Sequence, residues 1–234
     1  MQRISNLTLI FAVLLAVFII SPAFLSQQFG PYPLLKTGDV FDLLTPLVLI
    51  PLYWLLFQLS RDRPFSQGEM IVFLVLSSLW VLGQGMHLAA NAISHLTKEM
   101  PGSDIDTLTY FLDEVLSHYL WHIGLVGLSA LLIYRQWKYP FANERSRLVA
   151  EIAGGIIYGL VYFIMIVEAG TAPLGVPFAA LVVLFTLIWG RHGLRQQPIL
   201  AFFFTGYLVA ALLFLIWGIY WGGLPEFSEV GIIE

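Results

Sequence analysis

Polar residues interrupt two neighbouring apolar stretches of the chain at helical spacing. In the first stretch, His87, Asn91 and His95 are four residues apart, and Gln84 precedes His87 by three. Residues four apart lie on one face of a helix, so these side chains form a single stripe. Ionisable groups inside an apolar segment are rare and are usually functional, so the stripe is a candidate site.

The second stretch repeats this spacing and adds carboxylates. Glu114, His118 and His122 are four residues apart, and Asp113 and Ser117 form the adjacent stripe. Two histidines four apart point to the same side of a helix one turn apart, which is a familiar way to chelate a metal ion. A polar network that only packs two helices together is the structural alternative.

The histidines supply the nitrogen donors that zinc, iron and copper accept. The candidate metal ligands are His87, His95, His118 and His122. Three histidines and one open position form a hydrolytic zinc site, in which a neighbouring carboxylate takes a proton from water. Iron, copper or a haem b held between two histidines would instead give a redox protein.

Asp113, Glu114 and Ser117 are the candidate catalytic residues. Glu114 shares a stripe with both histidines, which predicts a ligand or a partner that orients an imidazole. Asp113 lies about 100° away around the helix, which predicts the proton acceptor. Ser117 is the third candidate, although a serine in an apolar helix more often donates to a backbone carbonyl one turn earlier.

The two stretches follow each other and predict an antiparallel hairpin. A connection symmetric about residues 104–105 would place His87 level with His122, Asn91 level with His118, and His95 level with Glu114. Glu168, which ends a later stretch, is expected at the mouth of the same cavity. His192 lies between Arg191 and Arg195 and is expected in a solvated loop.

The segment Ser117-His118-Tyr-Leu-Trp121-His122 resembles a motif of the seven-span superfamily that includes the alkaline ceramidases and the progestin/adipoQ receptors. The resemblance implies a zinc-dependent hydrolase of an amide or lipid inside the membrane. His118 and His122 match the HxxxH pair of that family, His87 is the candidate third ligand, and Asp113 falls in the aspartate region. In this chain the pair lies in the fourth apolar stretch, whereas the family carries it in the last helix.

The surrounding sequence must hold these residues in a membrane. Of the 234 residues, 59% are hydrophobic and 11% are charged, whereas a soluble domain has about 25% charged residues. This composition excludes a soluble or disordered chain, and the long apolar runs are not those of an outer-membrane barrel. Seven stretches are predicted to span, at roughly 7–26, 41–60, 70–95, 107–133, 149–169, 174–190 and 198–222.

The prediction is therefore an all-α integral membrane protein with one seven-helix domain over residues 1–234. Pro46 and Pro51 predict a kink in the second span, and Gly155 and Gly159 permit close helix approach in the fifth. We expect a multi-pass protein of the plasma membrane. The absence of cysteine excludes thiolate ligands, and the absence of a basic run excludes nucleic acid as a partner.

Basic residues predict the orientation, because they concentrate in cytoplasmic loops. With a cytoplasmic N-terminus, nine lie inside: Arg3, Arg61, Arg63, Arg135, Lys138, Arg145, Arg147, Arg191 and Arg195. Only Lys36 and Lys98 lie outside. The bias predicts a cytoplasmic N-terminus, an outer C-terminus and a polar cluster in the outer half.

Three functions fit these features. The first is a zinc-dependent hydrolase of a lipid amide or ester, with a membrane lipid as substrate. The second is a membrane redox protein with a non-haem metal or a b-type haem. The third is a non-enzymatic subunit of a larger membrane complex.

Overall fold

The computed structural model describes residues 2–60, 65–97, 99–141, 146, 148–190 and 193–232, and these residues are mostly helical. The elements in chain order are α1 (Gln2–Ile20), β1 (Gln28–Phe29), β2 (Tyr32–Lys36), α2 (Thr37–Leu43), α3 (Thr45–Leu59), α4 (Gln67–Thr97), α5 (Asp104–Tyr110), α6 (His118–Lys138), α7 (Val149–Glu168), α8 (Ala172–Phe185) and α9 (Pro198–Trp221). Two π-helical segments continue helices, Phe111–Ser117 between α5 and α6 and Thr186–Gly190 after α8. The short strands β1 and β2 pair in antiparallel fashion.

Seven helical segments are long and apolar enough to cross a membrane. They are Gln2–Phe24, Thr37–Leu59, Gln67–Thr97, Asp104–Lys138, Val149–Glu168, Ala172–Gly190 and Pro198–Trp221. Each corresponds to one of the seven predicted spans, so the all-α fold class and the number of long apolar helices are confirmed. The third and fourth segments are longer than predicted, with 31 and 35 residues.

Proline interrupts the second segment where the sequence predicted a kink. Helix α2 ends at Leu43, and α3 begins at Thr45 with Pro46 in its first turn. Proline fits this position because its missing N–H has no partner in a first turn. The backbone N–H of Lys36 donates to Oδ2 of Asp39 over 2.8 Å at the start of α2. The short helix α2 thus brings two carboxylates, Asp39 and Asp42, to one end of the bundle.

Glycines allow α7 and α9 to pack closely, as the spacing of Gly155 and Gly159 predicted. A Cβ atom on Gly159 would lie 2.2 Å from the carbonyl oxygen of Gly206, and one on Gly155 would lie 2.7 Å from that of Phe202. Contacts this short leave no room for a side chain, so the two backbones meet directly.

Helices α4 and α6 form the hairpin that carries the four clustered histidines. Here too, glycines permit close packing: a Cβ on Gly83 would lie 2.6 Å from the Ser117 carbonyl oxygen, and one on Gly124 would lie 2.7 Å from that of Leu76. The described part of the turn between the helices is residues 99–103, with Gly102 at φ +73°.

The register of this hairpin differs from the prediction. Because α4 ends at Thr97 and α5 begins at Asp104, the connection is centred near residues 100–101 and not at 104–105. Moving the centre by about four residues shifts the pairing by roughly two helical turns. His87 consequently lies opposite Asp113, and the predicted pairing of His87 with His122 is wrong.

A second polar group joins helices at the end of the bundle far from His87. Nη1 of the buried Arg135 lies 2.8 Å from Oε1 of Glu69, and Nε donates to Oγ of Ser60 over 3.1 Å. The guanidinium also stacks over the rings of Phe57 and Phe65, at 4.2 and 4.6 Å from their centres. This group ties α3, α4 and α6 together.

Several residues used in the predictions lie outside the described residues. They are His192 and the basic residues Arg61, Arg63, Lys98, Arg145, Arg147 and Arg191.

Candidate functional site

His87 and Asp113 form the central contact of the site. Nδ1 of His87 lies 2.8 Å from Oδ1 of Asp113, an ion-pair contact rather than a well-aligned hydrogen bond. The Asp113 side chain is 4% exposed and the His87 side chain is 26% exposed. A carboxylate this deeply buried needs a partner, and His87 is the one that α4 brings to it.

His118 and His122 continue the site along α6. The ring centre of His118 is 4.9 Å from that of His87 and 6.2 Å from that of His122. Nδ1 of His118 lies 2.9 Å from the carbonyl oxygen of Glu114, and Nδ1 of His122 lies 2.6 Å from Oγ1 of Thr171. Three of the predicted ligands therefore stand next to one another.

One arrangement is common to these three histidines. Each Nδ1 faces an oxygen atom, from a carboxylate in His87, a backbone carbonyl in His118 and a hydroxyl in His122. This arrangement fixes each ring and directs Nε2 away from the oxygen, as in histidines that bind metals. Nε2 of His122 is fully buried and has no hydrogen-bond partner among the described residues. A buried nitrogen without a partner is costly, so this atom is a candidate position for a ligand.

The distances between the ring centres test whether the three histidines could bind one ion together. Three nitrogens at about 2.1 Å from one tetrahedral zinc would place neighbouring ring centres about 5 Å apart. The pair His87 and His118 meets this spacing, whereas His118 and His122 stand about 1 Å too far apart. Accordingly, the described part of the chain contains no set of three or more His, Asp or Glu already close enough to hold an ion. The donor set suits zinc, but the three rings do not stand at the spacing that one shared ion requires.

The two adjacent acids contact different histidines. Asp113 is buried against His87, while the Glu114 side chain is 45% exposed with Oε2 3.8 Å from Nδ1 of His118. Both acids lie in the π-helical segment Phe111–Ser117, which continues into α6. Asp113 is the buried acid with the shorter contact to an imidazole, and Glu114 is the more exposed one.

Ser117 adopts the structural alternative. Its hydroxyl donates to the carbonyl oxygen of Asp113 one turn earlier, and the residue is fully buried. A hydroxyl used in this way supports the π-helical segment, because it supplies a partner to a carbonyl of an irregular turn.

His95 stands apart from the other predicted ligands. It follows His87 by eight residues, which is about 12 Å along a helix and too far to share one ion. Its Nε2 is buried and lacks a hydrogen-bond partner within the described residues. Asn91, between the two histidines, donates from Nδ2 to Oδ1 of Asp39 over 3.0 Å.

Three site residues come from parts of the chain that the histidine pattern did not indicate. Asp42 accepts a 2.7 Å hydrogen bond from Nε2 of Gln84 and lies near His87, as does Asp39. Thr171 holds His122 from the turn between α7 and α8. Asp42 could have been found in the sequence as an acid near the start of an apolar span. Thr171 could have been found in the polar turn that follows Glu168.

Glu168 holds the C-terminal segment rather than a histidine. Its Oε2 accepts a hydrogen bond from the backbone N–H of Phe227 over 3.1 Å, and Nε1 of Trp217 donates to the Pro225 carbonyl over 3.0 Å. Residues 224–232 thereby fold back beside the turn that carries Thr171. Burial, and after it the neighbouring Glu229, raises the pKa of the Glu226 carboxyl in this segment.

Comparison of the chain with known protein families, curated proteins and solved structures finds no match.

Proposed function

We propose that this chain is a multi-pass membrane protein in which His87, His118 and His122 hold a zinc ion through Nε2, and that it hydrolyses an amide or ester bond of a lipid. The observation that carries the proposal is the oxygen partner on Nδ1 of each histidine, together with the buried, unpartnered Nε2 of His122. Nε2 of His95 is also buried without a partner among the described residues, but His95 stands apart, whereas His122 lies beside a second candidate ligand, His118.

The orientation and the membrane are part of the same proposal. The excess of basic residues at one end favours a cytoplasmic N-terminus, which places the histidines in the outer half of the plasma membrane. Seven helices of sufficient length and apolar character support insertion as a bundle.

Zinc suits the donor set, because the chain offers imidazoles and carboxylates and has no cysteine. When bound, it would act as a Lewis acid that polarises the substrate carbonyl and makes water a better nucleophile at neutral pH. The local resemblance of the 117–122 segment to the alkaline ceramidases and the progestin/adipoQ receptors supports the same chemistry.

The residues around the histidines have separate roles in this proposal. Asp113 and Thr171 fix the rings of His87 and His122 by contacts to Nδ1. Glu114 Oε2, which water reaches, takes the proton from the attacking water and returns it to the leaving group. The burial of the other groups keeps bulk water from the reacting bond.

Metal analysis of the detergent-purified protein tests the proposal. We expect about one zinc per chain in the unaltered protein, and a loss of most of it in His118→Ala and His122→Ala. His95→Ala is the matched control on the same hairpin and should retain zinc. Hydrolysis of fluorescent lipid amides and esters should fall together with the zinc content.

Equal metal content in all the variants would overturn the assignment of the ligands. A Soret band in protein without zinc would replace the hydrolase with a haem protein. Protein with neither zinc nor a chromophore, but with normal folding, would leave only the structural network.

A further inference from the structure

A cavity of about 260 Å³ opens beside His87, between the end of α1, the start of α2 and the second half of α4. Its polar wall consists of Ser26, Lys36, Asp39, Asp42, His87 and Asn91. Pro22, Ala23, Leu25 and Leu88 form most of its apolar wall. Because His87 also contacts Asp113, a molecule in the cavity would lie directly beside the proposed hydrolytic site.

Two carboxylates in this wall, Asp39 and Asp42, form no ion pair with a Lys or Arg side chain of the described residues. Asp39 accepts from the amide of Asn91 and from the backbone N–H of Lys36, and Asp42 accepts from the amide of Gln84. These donors are neutral, and no Lys or Arg side chain in the described part of the chain forms an ion pair with either acid. Neutral donors orient the carboxylates without balancing their charge, which leaves the wall suited to a cation.

Lys36 supplies the opposite charge at the rim. It is exposed, whereas Asp39 and Asp42 are partly buried. The cavity thus presents a positive group at its entrance and two negative groups further in. A ligand complementary to it carries an anion followed by a cation, as a zwitterionic phospholipid head group does.

We propose that this cavity binds the head group of an aminophospholipid, with its primary ammonium against Asp42 and Asp39 and its phosphate near Lys36. The inference rests on the proposed function, since it identifies the class of lipid presented to the site beside His87. Such a lipid would be held by its head group while an acyl ester bond lies near the histidines.

The walls favour a primary ammonium over other cations. Quaternary ammonium groups are recognised by aromatic cages, and no aromatic ring belongs to the described lining apart from the imidazole of His87. A primary ammonium donates three hydrogen bonds, which matches two carboxylates with lone pairs to spare. A bare metal ion fits less well, because it requires about six or more oxygen ligands and half of this wall is apolar.

Binding of lipids that differ only in the head group tests the inference. Detergent-purified protein would be titrated with phosphatidylethanolamine, phosphatidylcholine and phosphatidylglycerol of identical short acyl chains, with native mass spectrometry as the readout. We expect phosphatidylethanolamine to bind at least about tenfold more tightly than the others, as one additional charge-assisted hydrogen bond allows.

The variants assign the preference to the cavity. Asp42→Asn keeps the shape of the side chain and should remove the preference, and Asp39→Asn should weaken it. Glu99→Gln, which alters an exposed acid that does not line the cavity, should leave it unchanged. Thermal melts of each variant identify any that fail to fold, and the two aspartate variants provide independent tests.

Equal binding of the three lipids, or an unchanged preference in both aspartate variants, would overturn the inference. Zinc is measured in the same samples, which separates the two proposals. Zinc retained without any head-group preference overturns this inference alone. A head-group preference in a chain without zinc supports the cavity as a binding site and overturns the hydrolase.

Discussion

At the residue scale, the contact between Asp113 and His87 gives the two neighbouring acids different tasks. Asp113→Asn keeps the size of the side chain but removes the charge that faces Nδ1 of His87. Loss of such an orienting partner typically weakens metal binding about 10–100-fold, so we expect a decrease of this order in zinc affinity. Competition with a chromophoric chelator measures it.

Glu114→Gln is the matched control, because it makes the same change one residue later on a side chain that is 45% exposed. It should retain zinc and lose turnover, because Glu114 is proposed to accept the proton from water and not to orient a histidine ring. Loss of zinc from Glu114→Gln with full retention in Asp113→Asn would reverse the two assignments.

At the element scale, the distance between α4 and α6 decides whether the histidines meet. Gly83 touches the backbone of Ser117 and Trp121, and the Cβ of Gly83→Ala would lie 2.6 Å from two of their atoms. The helices must then separate, so we expect both a lower melting temperature and a loss of bound zinc.

Gly85→Ala tests the same helix two residues later, where a Cβ atom meets nothing within 4 Å. It should retain zinc and should stabilise the helix by up to about 1 kcal/mol, because alanine has the higher helix propensity. Melting curves and metal content of the two variants test this expectation. Equal melting temperatures and equal zinc content would show that close packing at Gly83 does not determine the positions of the histidines.

The elements also show what could be predicted from the sequence. The seven long helices follow from apolar runs, which report length and composition directly. The register of the α4–α6 hairpin did not follow, because it depends on where the turn at Pro101 and Gly102 is centred. The π-helical segment Phe111–Ser117 has no periodic signature, and the contact between Asp113 and His87 depends on how α4 packs against this segment.

The site itself was predicted in part for a related reason. The histidines are spaced along two consecutive helices, and spacing is visible in a sequence. Asp42 contacts Gln84 from α2, and Thr171 contacts His122 from the turn before α8. Both positions depend on packing between segments far apart in the chain. A single sequence contains no direct record of such contacts.

At the scale of the whole molecule, the testable expectation is the orientation. Nine basic residues against two predict that a reporter fused after Glu234 lies outside and that one inserted near Arg145 lies in the cytoplasm. Protease protection or a pair of compartment-specific reporters measures this. A cytoplasmic C-terminus would move the histidines to the inner leaflet and change the pool of lipids that reaches them.

The hydrogen bond between His122 and Thr171 also sets the earliest moment at which the site can form during biosynthesis. His87 and Asp113 meet once the fourth long helix has been inserted, but Thr171 emerges only after the fifth. A nascent chain stalled after the fourth long helix would contain all three histidines, but the ring of His122 would not yet be held by Thr171. Under the proposed function, metal would therefore be bound after insertion of the fifth helix and not during synthesis of the histidines themselves.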